Sequence, residues 1–455
     1  MLYRRGAIGT EPLGLVLMFA IVALQRARSG EGKLQWWRCG FLFNLRRADM
    51  ENFLLDWVNL LLRWAHIITG ITWIGASFYF VSLDNSLTPP KSKTDVEKGV
   101  GGEQWGVHGG GFYHHQKYPV SPGYVPDKLH WSMWESYSTW LTGFALFTVM
   151  YLFNASTFLI DKTLFDWSPT DAVGTALTFF IAFWLLYDLI CRTLGRGKNG
   201  DLIVGGFVFG LIVFASWLSC HLFAGRAAFL LVGAMVATTM SGNVFFWIIP
   251  GQRKVVAAIK AGLPVDPVHG QRGKQRSVHN TFFTLPVLFT MMSNHYGFTY
   301  GAKYNWLVLV AIMVAGALIR FSFALRHKAL AYGEPVPWRY AIAGVLVLLG
   351  TVWATKPEPQ AQANNTGIAS PAVSASESFA NVQGIMAQRC VLCHGAAMQS
   401  KNVRLDSSEE VAKHAQLIYQ QAVVLKVMPM NNATQITDDE RAVIKRWFEA
   451  GALTK

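Results

Sequence analysis

Long apolar blocks with charge confined between them limit what this chain can fold into. A run of 18 or more apolar residues reads as a membrane-spanning helix, because about 20 residues cross a hydrocarbon core of roughly 30 Å. Such blocks lie at about 53–83, 134–155, 170–190, 201–220, 226–249, 278–295, 304–325 and 337–355. Aromatic residues crowd their ends, among them Trp131, Trp134, Tyr187, Trp247, Tyr304 and Trp338, as in the belt at a membrane–water interface. The expected fold is all-α, a polytopic membrane helix bundle of about eight spans joined to a small helical domain. A net charge of +13 raises nucleic acid as a partner. The basic residues sit in loops beside the spans, however, where orientation signals belong, and they do not form the basic patch of a nucleic-acid binder. We exclude that partner.

The composition changes after Thr355. Residues 356–378 hold Pro357, Pro359 and Pro371 among Ala, Gln, Asn and Ser, which reads as a part-extended linker. The membrane domain is then 50–355 and a soluble domain 379–455. That last domain carries Cys390-Val391-Leu392-Cys393-His394, the C-x-x-C-H attachment signature of c-type haem. Two thiols on one helical turn can add to the two haem vinyl groups, and the adjacent histidine reaches the iron. A reduced cysteine pair or a zinc half-site is the competing reading, but no second cysteine pair exists for a four-sulfur site. Phe379, Val382 and Met386 recur at helical spacing before the motif. Thr437 and Glu440 form a capping box that opens a last helix bearing Val443, Ile444, Trp447 and Phe448. The segment resembles a cytochrome c, two crossing terminal helices and a methionine loop around one covalent haem c. That resemblance implies a thioether as sixth ligand and, from its position before Pro429, Met428; Met430 is the other candidate.

Haem c is attached outside the cytoplasm, which puts loops 191–200, 250–277 and 326–338 inside. These carry Arg192, Arg196, Lys198, Arg253, Lys254, Lys260, Arg272, Lys274, Arg276, Arg326 and Lys328, whereas the outer loops are almost free of basic residues. Residues 1–49 do not fit this pattern. A ninth span at Leu13–Leu24 is short and would place six basic residues outside, and no small-residue cleavage site marks a signal peptide. We read 1–49 as a misassigned extension upstream of a start at Met50.

The membrane domain contains Asp56-Trp57, Leu60-Leu61-Leu62-Arg63-Trp64-Ala65-His66, Gly70, Trp73, Gly75, Phe78, Tyr79 and Leu83-Asp84-Asn85. These are followed by His108-Gly109-Gly110-Gly111-Phe112-Tyr113, Lys117-Tyr118 and Leu129-His130-Trp131. With a C-terminal C-x-x-C-H domain in the same order, residues 50–455 resemble the membrane-bound, cytochrome c-fused urate oxidases of bacteria. The His114-His115 pair departs from that pattern. The resemblance implies oxidation of urate with water to 5-hydroxyisourate in the bacterial inner membrane, with the cytochrome domain in the periplasm. Electrons leave through haem c to a soluble cytochrome c or a terminal oxidase, without peroxide. The alternative is a generic membrane electron-transfer subunit, the partner of a cytochrome c-linked dehydrogenase. A transporter would need paired half-spans or an internal repeat, and neither is present.

Ionisable residues at membrane depth are the place to look for a substrate site. Arg63, His130 and Glu135 are the catalytic candidates. His66 is either a hydrogen-bonded packing residue or a ligand to a b-type haem, with His221, His295 and His279 as further candidates, because H-x6-W-x-G (His66, Trp73, Gly75) also resembles the first helix of some haem-binding membrane proteins. Asp188, near a span end, reads as a solvated or helix-end carboxylate. In the loop 84–130, Gly109-Gly110-Gly111 either is a flexible stretch or lets backbone approach a planar ligand, with His108, Tyr113 and Lys117 as substrate-binding candidates. No dinucleotide or phosphate-loop fingerprint occurs, and Cys39, Cys191 and Cys220 are too scattered for a disulfide framework.

Overall fold

The computed structural model describes residues 47–119, 122, 125–162, 164–195, 199–356, 375–396, 403–424, 426–432 and 434–454. The upstream segment 1–46 and linker residues 357–374, on which two of the expectations above fall, lie outside the described residues. The chain separates into a unit ending at Trp57 and a second running from Val58 to Lys455.

Among the described residues the fold is helical apart from one two-stranded hairpin. Helix α1 (Arg47–Ser86) leads to strands β1 (Gly102–His108) and β2 (Gly111–Lys117). Then follow α2 (Trp134–Phe147), α3 (Pro169–Leu194), α4 (Gly200–Leu222), α5 (Gly225–Gly242), α6 (Ile249–Lys260), α7 (Pro267–Met292), α8 (Asn305–Tyr332) and α9 (Arg339–Ala354). The C-terminal domain consists of α10 (Ala375–Ile385), α11 (Val391–His394), α12 (Ser408–Lys413), α13 (Ala415–Ile418) and α14 (Asp438–Glu449).

Among the described residues, five continuous helices are long and apolar enough to cross a membrane: Phe53–Ser86, Pro169–Leu194, Gly200–Leu222, Gly225–Lys260 and Asn305–Tyr332. The other three apolar blocks of the sequence behave differently. Helix α2 has 14 residues before it passes into a π turn, α7 has a polar first half, and α9 is only 16 residues long. Large apolar side chains stand exposed along the bundle, including Ile71, Ile181, Leu185, Leu202, Phe207, Leu346 and Val352. Soluble monomers rarely expose such continuous apolar surface, so the bundle is compatible with a lipid surround.

The Gly225–Lys260 helix is central, with 61% of its most apolar window buried, against none for α1. Small residues make this possible, since helices in lipid associate by close backbone packing rather than by a hydrophobic drive. A Cβ added at Gly233 would fall 1.8 Å from Thr290 Oγ1, and one at Gly242 would fall 2.4 Å from the Trp184 indole. The Phe229, Leu231 and Met235 side chains of this helix are buried in one core with Tyr151, Phe180 and Phe183.

Two π turns interrupt the bundle. Thr148–Leu152 follows α2, and Asn243–Ile248 joins α5 to α6. Each inserts a residue's worth of extra backbone into a helix, which re-aims side chains and occurs frequently at functional sites. The first carries Tyr151, the second Asn243 and Trp247.

Candidate functional site

The C-terminal domain places its motif by packing two helices across each other. Helix α10 buries Phe379, Val382 and Ile385, while α14 buries Ile444 and Trp447, the rings of Phe379 and Trp447 lying 6.1 Å apart. The capping box at Thr437 and Glu440 is formed in full. Glu440 also pairs with Arg389 at 3.0 Å, and Arg389 donates to the Thr434 carbonyl at 2.7 Å, which fixes the chain directly before Cys390. Cys390 and Cys393, three apart, share a helix face. Burial pushes the Cys390 thiol up to about 11, whereas Cys393 is exposed. His394 Nδ1 lies 3.3 Å from the Val403 carbonyl. With Nδ1 as the donor, that bond fixes the tautomer that leaves Nε2 free for a metal. Buried Arg441 donates to the Met428 carbonyl at 2.9 Å and also bonds the Ala422 carbonyl, so the methionine loop is tied to α14. The two methionines of the loop differ: Met430 Sδ turns to Arg226 of the bundle, at 3.5 Å from Nη1.

That contact marks the end of the bundle that carries the C-terminal domain. Gly297 lies against Val427 there, and a polar cluster lies alongside. Asn294 Oδ1 accepts from the Tyr151 hydroxyl at 3.1 Å and from Arg226 Nε at 3.2 Å. Arg63, in α1, reaches the same π turn: its Nη2 lies 2.7 Å from Met150 Sδ, and its Nε bonds Asn59 at 2.5 Å. Both guanidinium groups act electrostatically on Tyr151. Neither Arg63 nor Arg226 has an acidic partner among the described residues.

The opposite end of the bundle holds a second polar cluster, and here a buried carboxylate faces the arginines. Asp188 accepts from Arg276 at 2.8 Å, from Arg192 at 2.6 Å and from Trp247 Nε1 at 2.7 Å. Arg276 also donates to Asn243, which bonds Tyr187 and Asn280 at 3.0 Å each; the Tyr187 hydroxyl lies 2.7 Å from His279 Nδ1. Asp188 and Arg276 are buried, which corrects the expectation of a solvated carboxylate. Arg276, expected in an inner loop, belongs instead to α7. Asp266 caps that helix through the Val268 amide and Pro267 stands at its first turn, so α7 begins well before its apolar part.

The other residues singled out in the sequence fall in separate places. His66 Nδ1 lies 3.2 Å from the Thr139 carbonyl and from Thr142 Oγ1, packed against Gly143 of α2. Glu135 is in the first turn of α2, fifteen residues and so about 22 Å along the helix from Met150, where Arg63 binds. His130 is exposed just before that turn. The catalytic trio therefore splits between the two ends of the bundle. The glycine-rich loop is a hairpin: Gly109 and Gly110, with φ of 58° and 79°, supply the two left-handed residues of a tight turn. His108 is beside that turn and Lys117 at the far end of β2, about 20 Å away. Lys117 pairs with Asp84 at 2.6 Å, and Tyr113 is exposed between the two. One small anion cannot touch all three. His221 bonds the Trp217 carbonyl, and no group of three or more His, Cys, Asp or Glu side chains converges on a metal site among the described residues.

A helical bundle with membrane-length apolar helices, polar clusters on its π turns and a small helical domain bearing two thiols and an oriented histidine is compatible with a membrane protein. Residues 52–356 match the urate oxidase N-terminal family, and the chain belongs to that family. It is accordingly an oxidoreductase-type enzyme of urate-related oxidation. The match covers the bundle and ends before the C-terminal domain. No curated protein matches the chain, and no solved structure matches it.

Proposed function

We propose that the protein is a membrane-bound urate oxidase that converts urate to 5-hydroxyisourate and passes the electrons to a respiratory acceptor without forming peroxide. The observation that carries this reading is the union, in one chain, of a urate oxidase-family bundle over 52–356 with a C-x-x-C-H turn whose histidine is already oriented. Cys390 and Cys393 would attach haem c and His394 and Met428 would ligate it, the cofactor supplying a one-electron acceptor. Met430 is the weaker ligand candidate, since its sulfur faces Arg226. The urate monoanion and water give 5-hydroxyisourate, one proton and two electrons; the new C5–O bond takes its oxygen from water. The electrons leave singly to a soluble cytochrome c or a terminal oxidase.

The five long helices, completed by 134–152, 267–292 and 339–354, would make about eight spans in the bacterial inner membrane. Haem attachment and the basic inner loops support a periplasmic C-terminal domain. A b-type haem finds less support, because His66 is engaged by Thr139 and Thr142.

Turnover in water enriched in oxygen-18 tests the reaction. The reading requires the label in the 5-hydroxyl group and no peroxide, with a soluble cytochrome c reduced at two equivalents per urate. Stoichiometric peroxide with direct oxygen consumption would refute it.

A further inference from the structure

We propose that Arg63 and Arg226 receive the purine anion, at the end of the bundle on which residues 427–430 of the C-terminal domain are seated. This rests on the urate-oxidising reading and adds the location of the site.

The case begins with donors and acceptors. An arginine carries five N–H donors in a planar fork suited to an oxyanion, whereas a thioether is a weak acceptor. Yet Arg63 is met by Met150 Sδ and the Asn59 amide oxygen, and Arg226 by Met430 Sδ and the Asn294 amide oxygen. Two half-buried positive charges therefore share a small region with no carboxylate from the described residues. A charge in such a place is costly unless it faces a partner or polar cavity, and it marks a functional site by default. The partner that suits two forks is a planar anion with several carbonyl oxygens, which describes a purine trione. Asn294 and Tyr151 position Arg226, and the π turn 148–152 brings both Met150 and Tyr151 to Arg63.

The other polar places serve less well. At the opposite end, Arg276 and Arg192 already share the Asp188 carboxylate, so both have an acidic partner. In the hairpin, Lys117 is neutralised by Asp84 and separated from His108 by the length of the strand. Arg320 is buried, with Nε and Nη2 lacking hydrogen bonds among the described residues, but its guanidinium already lies on the Phe78 ring, 3.6 Å away.

The location also bears on the electron route. Two consecutive residues span at most about 7 Å, so Met428 is close to the Met430–Arg226 contact. Urate bound there would lie next to the methionine loop, on the same side of the membrane as the domain that accepts its electrons. No carrier within the bilayer is then needed.

The test uses the full-length holoprotein, reduced and anaerobic so that bound urate cannot turn over, and measures urate affinity by equilibrium dialysis. Loss of one charge-assisted contact weakens binding roughly 10- to 100-fold. That loss is expected in Arg63→Gln and in Arg226→Gln, with haem c content unchanged by pyridine haemochrome. Asn294→Asp guards against misfolding: it gives Arg226 a carboxylate partner, so it should weaken urate binding while raising or preserving the melting temperature. Wild-type affinity in all three variants, or a comparable loss in Lys117→Gln or Tyr113→Phe instead, would overturn the assignment and leave the urate reading intact. Failure of the wild-type holoprotein to bind urate at all would overturn the urate reading itself.

Discussion

Replacing Asp188 by Asn tests whether the buried polar cluster holds the bundle together. The carboxylate has three donors, and they do not contribute equally. Arg192 is 56% exposed, and its pairing is worth at most about 1 kcal/mol. The Trp247 indole loses little, because the asparagine amide oxygen can still accept its proton. Arg276 is different, with a side chain only 3% exposed. Removing its counter-charge leaves a guanidinium buried without compensation, which costs about 3–5 kcal/mol. The Asn243 and Tyr187 contacts downstream of Arg276 loosen as well. Denaturant titration in detergent micelles, followed by tryptophan fluorescence, should show a loss of about 3 kcal/mol or more. The companion variant Asp188→Leu with Arg276→Met removes both charges, and most of the loss should return, since an apolar pair of similar volume is often neutral. A single-variant cost under about 1 kcal/mol, or a double variant costing the sum of its parts, would refute this view of the cluster.

Gly233→Ala should destabilise the bundle by about 1–3 kcal/mol, because the new methyl meets Thr290 Oγ1 at 1.8 Å, and Thr290→Ala should relieve most of it; denaturation midpoints decide. Arg320→Met should raise the melting temperature, since it removes a buried cation with two donors unmade; a fall would mean that Arg320 has a partner. In the hairpin, the Lys91 amide and the His114 ring hold the Glu103 carboxyl below its usual range. Its stabilising effect is therefore full above the ordinary carboxylate pKa and lost as pH falls through the lower folded value. Hydrogen exchange of residues 102–117, corrected for intrinsic rates, should show that acid loss in the wild type and a flat profile in Glu103→Gln. Cys390→Ala and Cys393→Ala should each abolish or cripple covalent haem while the bundle still inserts; a full haem-staining band on a denaturing gel in both would contradict the attachment proposed for them.

What the sequence disclosed follows from what is local. Apolar runs longer than about 18 residues show the long helices without reference to their neighbours, and the capping box at Thr437 is formed within four residues. The C-x-x-C-H turn likewise needs only five. Convergence over distance was hidden. Arg226, Tyr151 and Asn294 meet from positions up to 143 apart, with no periodicity to announce it. Asp188 reads as a helix-end acid because its partner Arg276 looks like a loop residue, and only the Asp266–Pro267 start brings Arg276 onto a helix. The hairpin did leave a signal that was not used: two glycines between strands that pair Val107 with Phe112 and Trp105 with His114 are a two-residue turn. The π turns have no sequence mark we can identify.

Urate-driven reduction of the c-type haem, followed optically in membranes containing the protein with oxygen removed, addresses the central proposal with no added carrier. A reduced c-type band should grow on addition of urate alone, and it should need roughly 10- to 100-fold more urate in Arg226→Gln membranes, whose haem c remains reducible by dithionite. A wild-type c-type haem that dithionite reduces but urate leaves oxidised would contradict the transfer of electrons from urate to the C-terminal domain.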